Sequence, residues 1–151
     1  MSINSYMDGH KASIHVLLID EMFITQECLA LVLQNSDEAL TVSVVSHSNE
    51  TTTQQPSPDV ILFNGKSRNL DDQDMIREAS YINETWPIVP RLVILERHLP
   101  ASTALEALRM GWHGYFPANE RLELLIMAIR ILMIGGIFVP SELRQYLLSD
   151  K

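Results

Sequence analysis

The sequence is sparing with several of the features that usually announce a function. It contains one cysteine, Cys28, in 151 residues. No disulfide can form within the chain, which suits a reducing compartment such as the cytoplasm. Cys28 shares a helical spacing with Ile24 and Leu31, a pattern that predicts a thiol packed in the core rather than a reactive one. Basic residues are few, 11 Lys and Arg against 19 Asp and Glu, for a formal net charge of −8. A broad phosphate-binding face is built from clustered Lys and Arg, so this chain is not expected to bind nucleic acid by itself. The opening residues, MSINSYMDGHKAS, hold no apolar stretch of the kind a secretory signal needs. The longest apolar segment, LELLIMAIRILMIGGIF from Leu122, is interrupted by Glu123, Arg130 and a Gly-Gly pair. A bilayer span requires about 20 mostly apolar residues, so this segment predicts a buried or partner-facing helix and no membrane partner.

Catalytic signatures are also missing. No Ser or Cys stands beside an obvious base, and the five histidines, His10, His15, His47, His98 and His113, follow no metal-ligand spacing. Each is read as a surface or hydrogen-bonded residue.

What is present is a regular alternation. A continuous apolar run at 14–19 (IHVLLI) reads as a strand buried on both faces and 59–63 (DVILF) as another buried strand, while 40–45 (LTVSVV), 90–95 (PRLVIL) and the short 113–116 (HGYF) read as further strands. Helical spacing follows the first run, covers DDQDMIREASYINETW with Met75, Ala79, Ile82 and Trp86 on one face, returns in PASTALEALRMG, and fills NERLELLIMAIRILMIGG, where Asn119 is a candidate cap. Residues 46–58, SHSNETTTQQPSP, fall where an alternating chain would place its second helix, but they are polar and without apolar periodicity. A loop or a single turn is expected there. The fold class that follows is α/β, a doubly wound parallel sheet with helices on both faces. The organisation expected is a leader over residues 1–13, one domain over 14–139, and a C-terminal helix or the start of a linker over 140–151.

In such sheets ligands bind outside the carboxyl ends of the strands. The residues there are Asp20 and Glu21 after the first strand, Asn64 after the third, Glu96 after the fourth, and Pro117 and Ala118 after the fifth. The first turn has no glycine and two carboxylates, which repel phosphate and suit a cation. This weakens the dinucleotide-binding and flavin-binding versions of the architecture.

Several segments together resemble a response-regulator receiver domain. HVLLIDEMFITQECLALVL is similar to its opening, where an acidic pair helps to hold Mg²⁺. PDVILFN is similar to the segment that normally ends in the phosphoaccepting aspartate. RLVILE matches the fourth strand, normally followed by Thr or Ser, and ALEALRMGWHGYFPA the stretch that normally ends in lysine. AIRILMIGGIFVP looks like the close of the receiver in the NarL/FixJ (LuxR-type) subfamily. The resemblance spans residues 14 to about 148. It implies a flavodoxin-like five-stranded sheet in the order 2-1-3-4-5 and a cytoplasmic regulatory module of a bacterial two-component transcription regulator. DNA would be reached only through an output domain that this chain does not contain.

The departures lie in the pocket. Asp20 and Glu21 remain as a vestigial Mg²⁺ site, but Asn64 stands where the phosphoacceptor belongs, Glu96 at the switch hydroxyl and Ala118 at the lysine. An amide is a poor nucleophile, and the loss of lysine removes a counter-charge for a phosphoryl group. A receiver that is not phosphorylated is expected, with no catalytic residue. Asn64 leaves three readings: a plain polar strand end, part of a pocket locked through Glu96, or an Asn-Gly pair that deamidates to a carboxylate. The functional alternatives are a stand-alone adaptor, a ligand-sensing pseudo-receiver, or a Mg²⁺-dependent receiver phosphorylated at an unorthodox residue. The last long helix is apolar nearly all round, so one side needs a cover other than the sheet. The expected cover is a second copy, giving a homodimer through Leu122, Leu125, Ile126, Ile129 and Met133, with Trp112 as a further anchor. The alternative cover is the chain's own C-terminal segment.

Overall fold

A computed structural model describes residues 13–50, 57–97 and 99–140. The predicted C-terminal helix or linker, apart from Pro140, and the predicted leader, apart from Ser13, lie outside the described residues. Five strands, β1 (Ile14–Ile19), β2 (Leu40–Val45), β3 (Val60–Lys66), β4 (Arg91–Leu95) and β5 (Tyr115–Pro117), form one sheet in the order β2-β1-β3-β4-β5. Every pairing in it is parallel. The four α-helices among the described residues are α1 (Phe23–Ser36), α2 (Gln73–Thr85), α3 (Ala101–Arg109) and α4 (Leu122–Met133). Between β2 and β3 the described residues contain one 3₁₀ turn, Ser48–Glu50, where a doubly wound chain would place a helix.

The continuous apolar runs make sense because both faces of the sheet are covered. Side chains alternate along a strand. Val16, Leu18, Val60, Leu62, Leu92 and Ile94 therefore enter one core, with Leu33 of α1 and Leu125, Ala128, Ile129 and Leu132 of α4. The intervening Leu17, Ile19, Ile61, Phe63, Val93 and Leu95 enter the other, with Met75, Ala79 and Ile82 of α2 and Ala104 and Ala107 of α3.

Helix α1 departs from the sequence expectation. It docks through Gln26 and Leu33, with Leu29 and Ala30 partly buried. Cys28 is exposed, and Ile24 and Leu31 point to solvent at 75% and 59% exposure. Apolar residues lie around most of this helix, so spacing alone cannot select its buried stripe. The face is chosen by Gln26, whose Nε2 donates to the Asp20 carbonyl oxygen at 2.9 Å. Trp112 corrects a second expectation. It is buried at 2% exposure in the α2/α3 core, its ring 5.6 Å from that of Phe63, and is no surface anchor.

Beyond α4 the chain turns back along the sheet edge. Phe138 forms a parallel bridge with Gly114, packs its ring 5.7 Å from Phe116, and donates its N–H to the His113 carbonyl at 2.8 Å. Gly114 has φ +141°, and a Cβ there would lie 2.0 Å from the Phe138 oxygen. Only glycine permits this approach.

Candidate functional site

The strand register builds the site. Ile19 of β1 pairs with Phe63 of β3, so the next residues, Asp20 and Asn64, stand side by side at the carboxyl ends of adjacent strands. Asn64 Nδ2 donates to Asp20 Oδ2 at 3.0 Å. Asp20 is 1% exposed, so its carboxylate must find every partner within the protein. Met22 N–H donates to Oδ1 at 3.0 Å and the Thr25 hydroxyl to Oδ2 at 2.6 Å.

The fourth partner was not anticipated. Strand β3 continues past Asn64, and its register against β4 shifts between Asn64 and Lys66. Gly65 accommodates the bulge: a Cβ there would come within 3.1 Å of Leu95 and Met75 side chains and 3.2 Å of the Ile94 oxygen. Lys66 then adopts φ +57°, the one non-glycine residue at positive φ among the described residues. Its Nζ lies 2.5 Å from Asp20 Oδ1 and 3.2 Å from Thr25 Oγ1. Glu21 has a cation too, with Arg68 Nη2 2.9 Å from its Oε1. Burial alone would raise the Asp20 pKa. The hydrogen bonds from Lys66, Thr25, Met22 N–H and Asn64 outweigh it and hold the carboxyl below its ordinary 3.8.

The residues expected at the strand ends are thus only partly brought together. Asp20 and Asn64 touch, and Glu21 flanks them on an exposed position. Glu96 is exposed at the end of β4, its backbone N–H bonded to the Lys66 carbonyl at 2.8 Å. Among the described residues no bond joins its side chain to Asp20, Glu21 or Asn64, so a pocket locked through Glu96 is not what the geometry contains. Ala118 is exposed and lies with Asn64, Thr25, Cys28 and Phe116 along an apolar groove of about 370 Å³ between α1 and α4. Asp59, at the other end of β3, accepts the His15 N–H at 2.8 Å and is structural.

A divalent cation fits this arrangement poorly. Mg²⁺ requires open oxygen ligands, usually one or two carboxylates with waters. A carboxylate offers about four acceptor sites, and those of Asp20 face four donors, one of them an ammonium. Among the described residues no group of three or more His, Cys, Asp or Glu is placed to hold a metal.

The partner face expected on α4 is turned inward at Leu125 and Ile129. Leu125 and Ile129 are 4% and 0% exposed and face the sheet, which removes them from any interface. Leu122, Ile126 and Met133 are half-buried, while Met127 and Ile134 are exposed. Among the described residues no helix is long and apolar enough to cross a membrane.

No model of a protein family matches the chain. Among curated proteins it is 22% identical over 139 residues to the transcriptional regulatory protein LnrK of Bacillus subtilis (strain 168). The match covers 91% of this chain but 61% of that protein, so the chain spans about three fifths of the relative's length. A two-component response regulator of the LuxR family from Aurantimonas sp. SI85-9A1 superposes with a TM-score of 0.70 at 18% identity, over 91% of this chain and 97% of the other. The RcsB response regulator of Salmonella typhimurium, from a study of its conformational dynamism for DNA interaction, gives 0.71 at 16% identity, over 90% and 67%. The strand order, the helices on both faces and these superpositions agree: the chain has the fold of a response-regulator receiver domain, as found in LuxR-family regulators.

Proposed function

We propose that the protein is a receiver domain that is not switched by phosphorylation and acts as the regulatory module of a LuxR-type transcription regulator. The observation that carries this reading is the pair Asn64–Asp20. The strand-end position that would attack phosphorus holds an amide, and that amide is engaged as a donor to the buried carboxylate at 3.0 Å. A carboxamide forms no acyl phosphate, and the Asp20 carboxylate is 1% exposed behind its four donors. The pocket side chains are engaged with one another, which supports a non-enzymatic role. The reading is tested by incubating the chain with a small phosphodonor and Mg²⁺ and weighing the intact protein. It predicts an unmodified mass, and a covalent phosphoryl adduct overturns it.

With the pocket silent, the signal passes through surfaces. The proposed homodimer uses the half-buried and exposed side of α4, Leu122, Ile126, Met127, Met133 and Ile134, and not Leu125, Ile129 or Trp112. DNA would be bound by an output domain, as the length of LnrK beyond the matched region suggests. Light scattering tests the dimer: a monomer at high concentration removes it and leaves an adaptor whose partner covers α4.

A further inference from the structure

We propose that Lys66 is the resident cation of the acidic pocket, a tethered ammonium that occupies the side of Asp20 where a divalent ion would sit and excludes that ion. The proposal rests on the reading above, that the pocket does not carry phosphate, and explains how its acid is kept neutralised.

Lone-pair accounting gives the first support. Each Asp20 oxygen meets two donors: Met22 N–H and Lys66 Nζ at Oδ1, the Thr25 hydroxyl and Asn64 Nδ2 at Oδ2. A metal entering this turn would have to displace at least one of them. The second support is the backbone. A lysine at φ +57° is in a conformation that side chains with a Cβ avoid. Such strain persists where its surroundings over-determine it. Here the bulge after Asn64 and the close packing of Gly65 bring the next residue round, and the ammonium lands 2.5 Å from the carboxylate. The third is amide orientation. Asn64 turns its NH₂ to Asp20, and its Oδ1, the atom a cation would choose, accepts the Lys66 N–H at 3.3 Å. Arg68 repeats the charge logic at Glu21, 2.9 Å away. Both acids of the turn therefore face cations of the same segment, residues 66–68.

The test is a titration of the intact chain with Mn²⁺, following the free ion by electron paramagnetic resonance. Lys66→Gly is the informative variant, because it removes the ammonium with the rest of the side chain while glycine accepts the positive φ. The wild type is expected to take up no Mn²⁺ at millimolar concentrations. Lys66→Gly is expected to bind one ion per chain about tenfold or more tighter, and to gain thermal stability when Mn²⁺ is added. Asp20→Asn in the Lys66→Gly background should abolish both effects. Lys66→Met serves as a second variant if the glycine form does not fold. Equal uptake by wild type and variants overturns the proposal, as does the absence of added uptake in folded Lys66→Gly and Lys66→Met. The phosphodonor experiment separates the two claims. Wild-type protein that binds Mn²⁺ yet stays unphosphorylated sinks this inference alone, and a phosphoryl adduct sinks the reading beneath it.

Discussion

Lys66 and Arg91 lie at opposite ends of the sheet and are held in opposite ways. Lys66, at the carboxyl ends of the strands, pairs with a buried acid and keeps 20% of its side chain exposed. Arg91, at the amino end of β4, is 3% exposed, and its side chain donates to uncharged oxygens. Its Nε and Nη2 donate to the Val89 carbonyl at 3.0 and 2.7 Å, Nη2 also to the Trp86 carbonyl at 2.7 Å, and Nη1 to Asn83 Oδ1. Trp86 and Asn83 belong to the end of α2, where orphan carbonyls and the helix dipole favour a cation. Asn83 then reaches the Met110 carbonyl at the end of α3 at 3.1 Å. Burial lowers the Arg91 pKa, yet the fork of donors keeps it useful as a strut joining α2, α3 and β4. The difference shows what an acid partner signifies. Arg91 satisfies backbone that any fold must satisfy, whereas Lys66 neutralises a carboxylate that a receiver normally reserves for a metal.

The sharpest break of this comparison is at Arg91. Arg91→Leu removes the side-chain donors to the Val89 carbonyl and Asn83 Oδ1 and one of two donors to the Trp86 carbonyl, and should cost about 4 kcal/mol in chemical denaturation, with no change in Mn²⁺ uptake. Lys66→Met should cost about 3 kcal/mol, because an uncompensated carboxylate remains buried. Lys66→Gly should cost about 1 kcal/mol less than Lys66→Met, since the left-handed backbone is relieved. A loss as large for glycine as for methionine would contradict strain at this residue. Asn64→Asp places a second carboxylate beside Asp20 and should cost about 1–2 kcal/mol at pH 7. A stabilised Asn64→Asp would show that the amide is not needed there.

The smallest effects are in pH. Asp20 has a folded pKa below its ordinary 3.8. Its contribution is complete above 3.8 and is lost as pH falls through the folded value. Urea unfolding from pH 5 downward should show this loss in the wild type and a weaker one in Lys66→Met. His113 is shifted down by burial first and by the Arg91 charge second, and its Nδ1 accepts the Arg91 N–H at 3.2 Å, which needs that nitrogen unprotonated. Its contribution is present above its ordinary 6.5 and fades as pH falls below that value, so His113→Gln should flatten the stability profile between pH 7 and 5.

Much of the fold was legible because its physics is local. A strand covered on both faces must be apolar throughout, which marks out 14–19 as it stands, and the polar stretch after β2 predicts the single turn, Ser48–Glu50, that the described residues hold there. The docking face of α1 was not legible, since Met22, Phe23, Ile24, Leu31 and Val32 are apolar and exposed while Gln26 is buried. A buried glutamine is chosen by a carbonyl that only the folded turn presents. Of the site, Asp20 beside Asn64 followed from the strand ends. Lys66 and Arg68 were visible as a basic pair in FNGKSR but assigned no role, because their placement depends on a bulge between strands and on one residue at positive φ. Neither leaves a periodic trace. Trp112, Leu125 and Ile129 were misplaced as surface for a related reason: an apolar residue looks the same in sequence whether it meets the core or a partner.

The central claim is that this acidic pocket is closed by its own side chains and takes no phosphoryl group. Intact-mass measurement after exposure to a small phosphodonor with saturating Mg²⁺ tests it most directly. The account predicts the wild-type chain at its unmodified mass. A covalent phosphoryl adduct, wherever on the chain it maps, would contradict it.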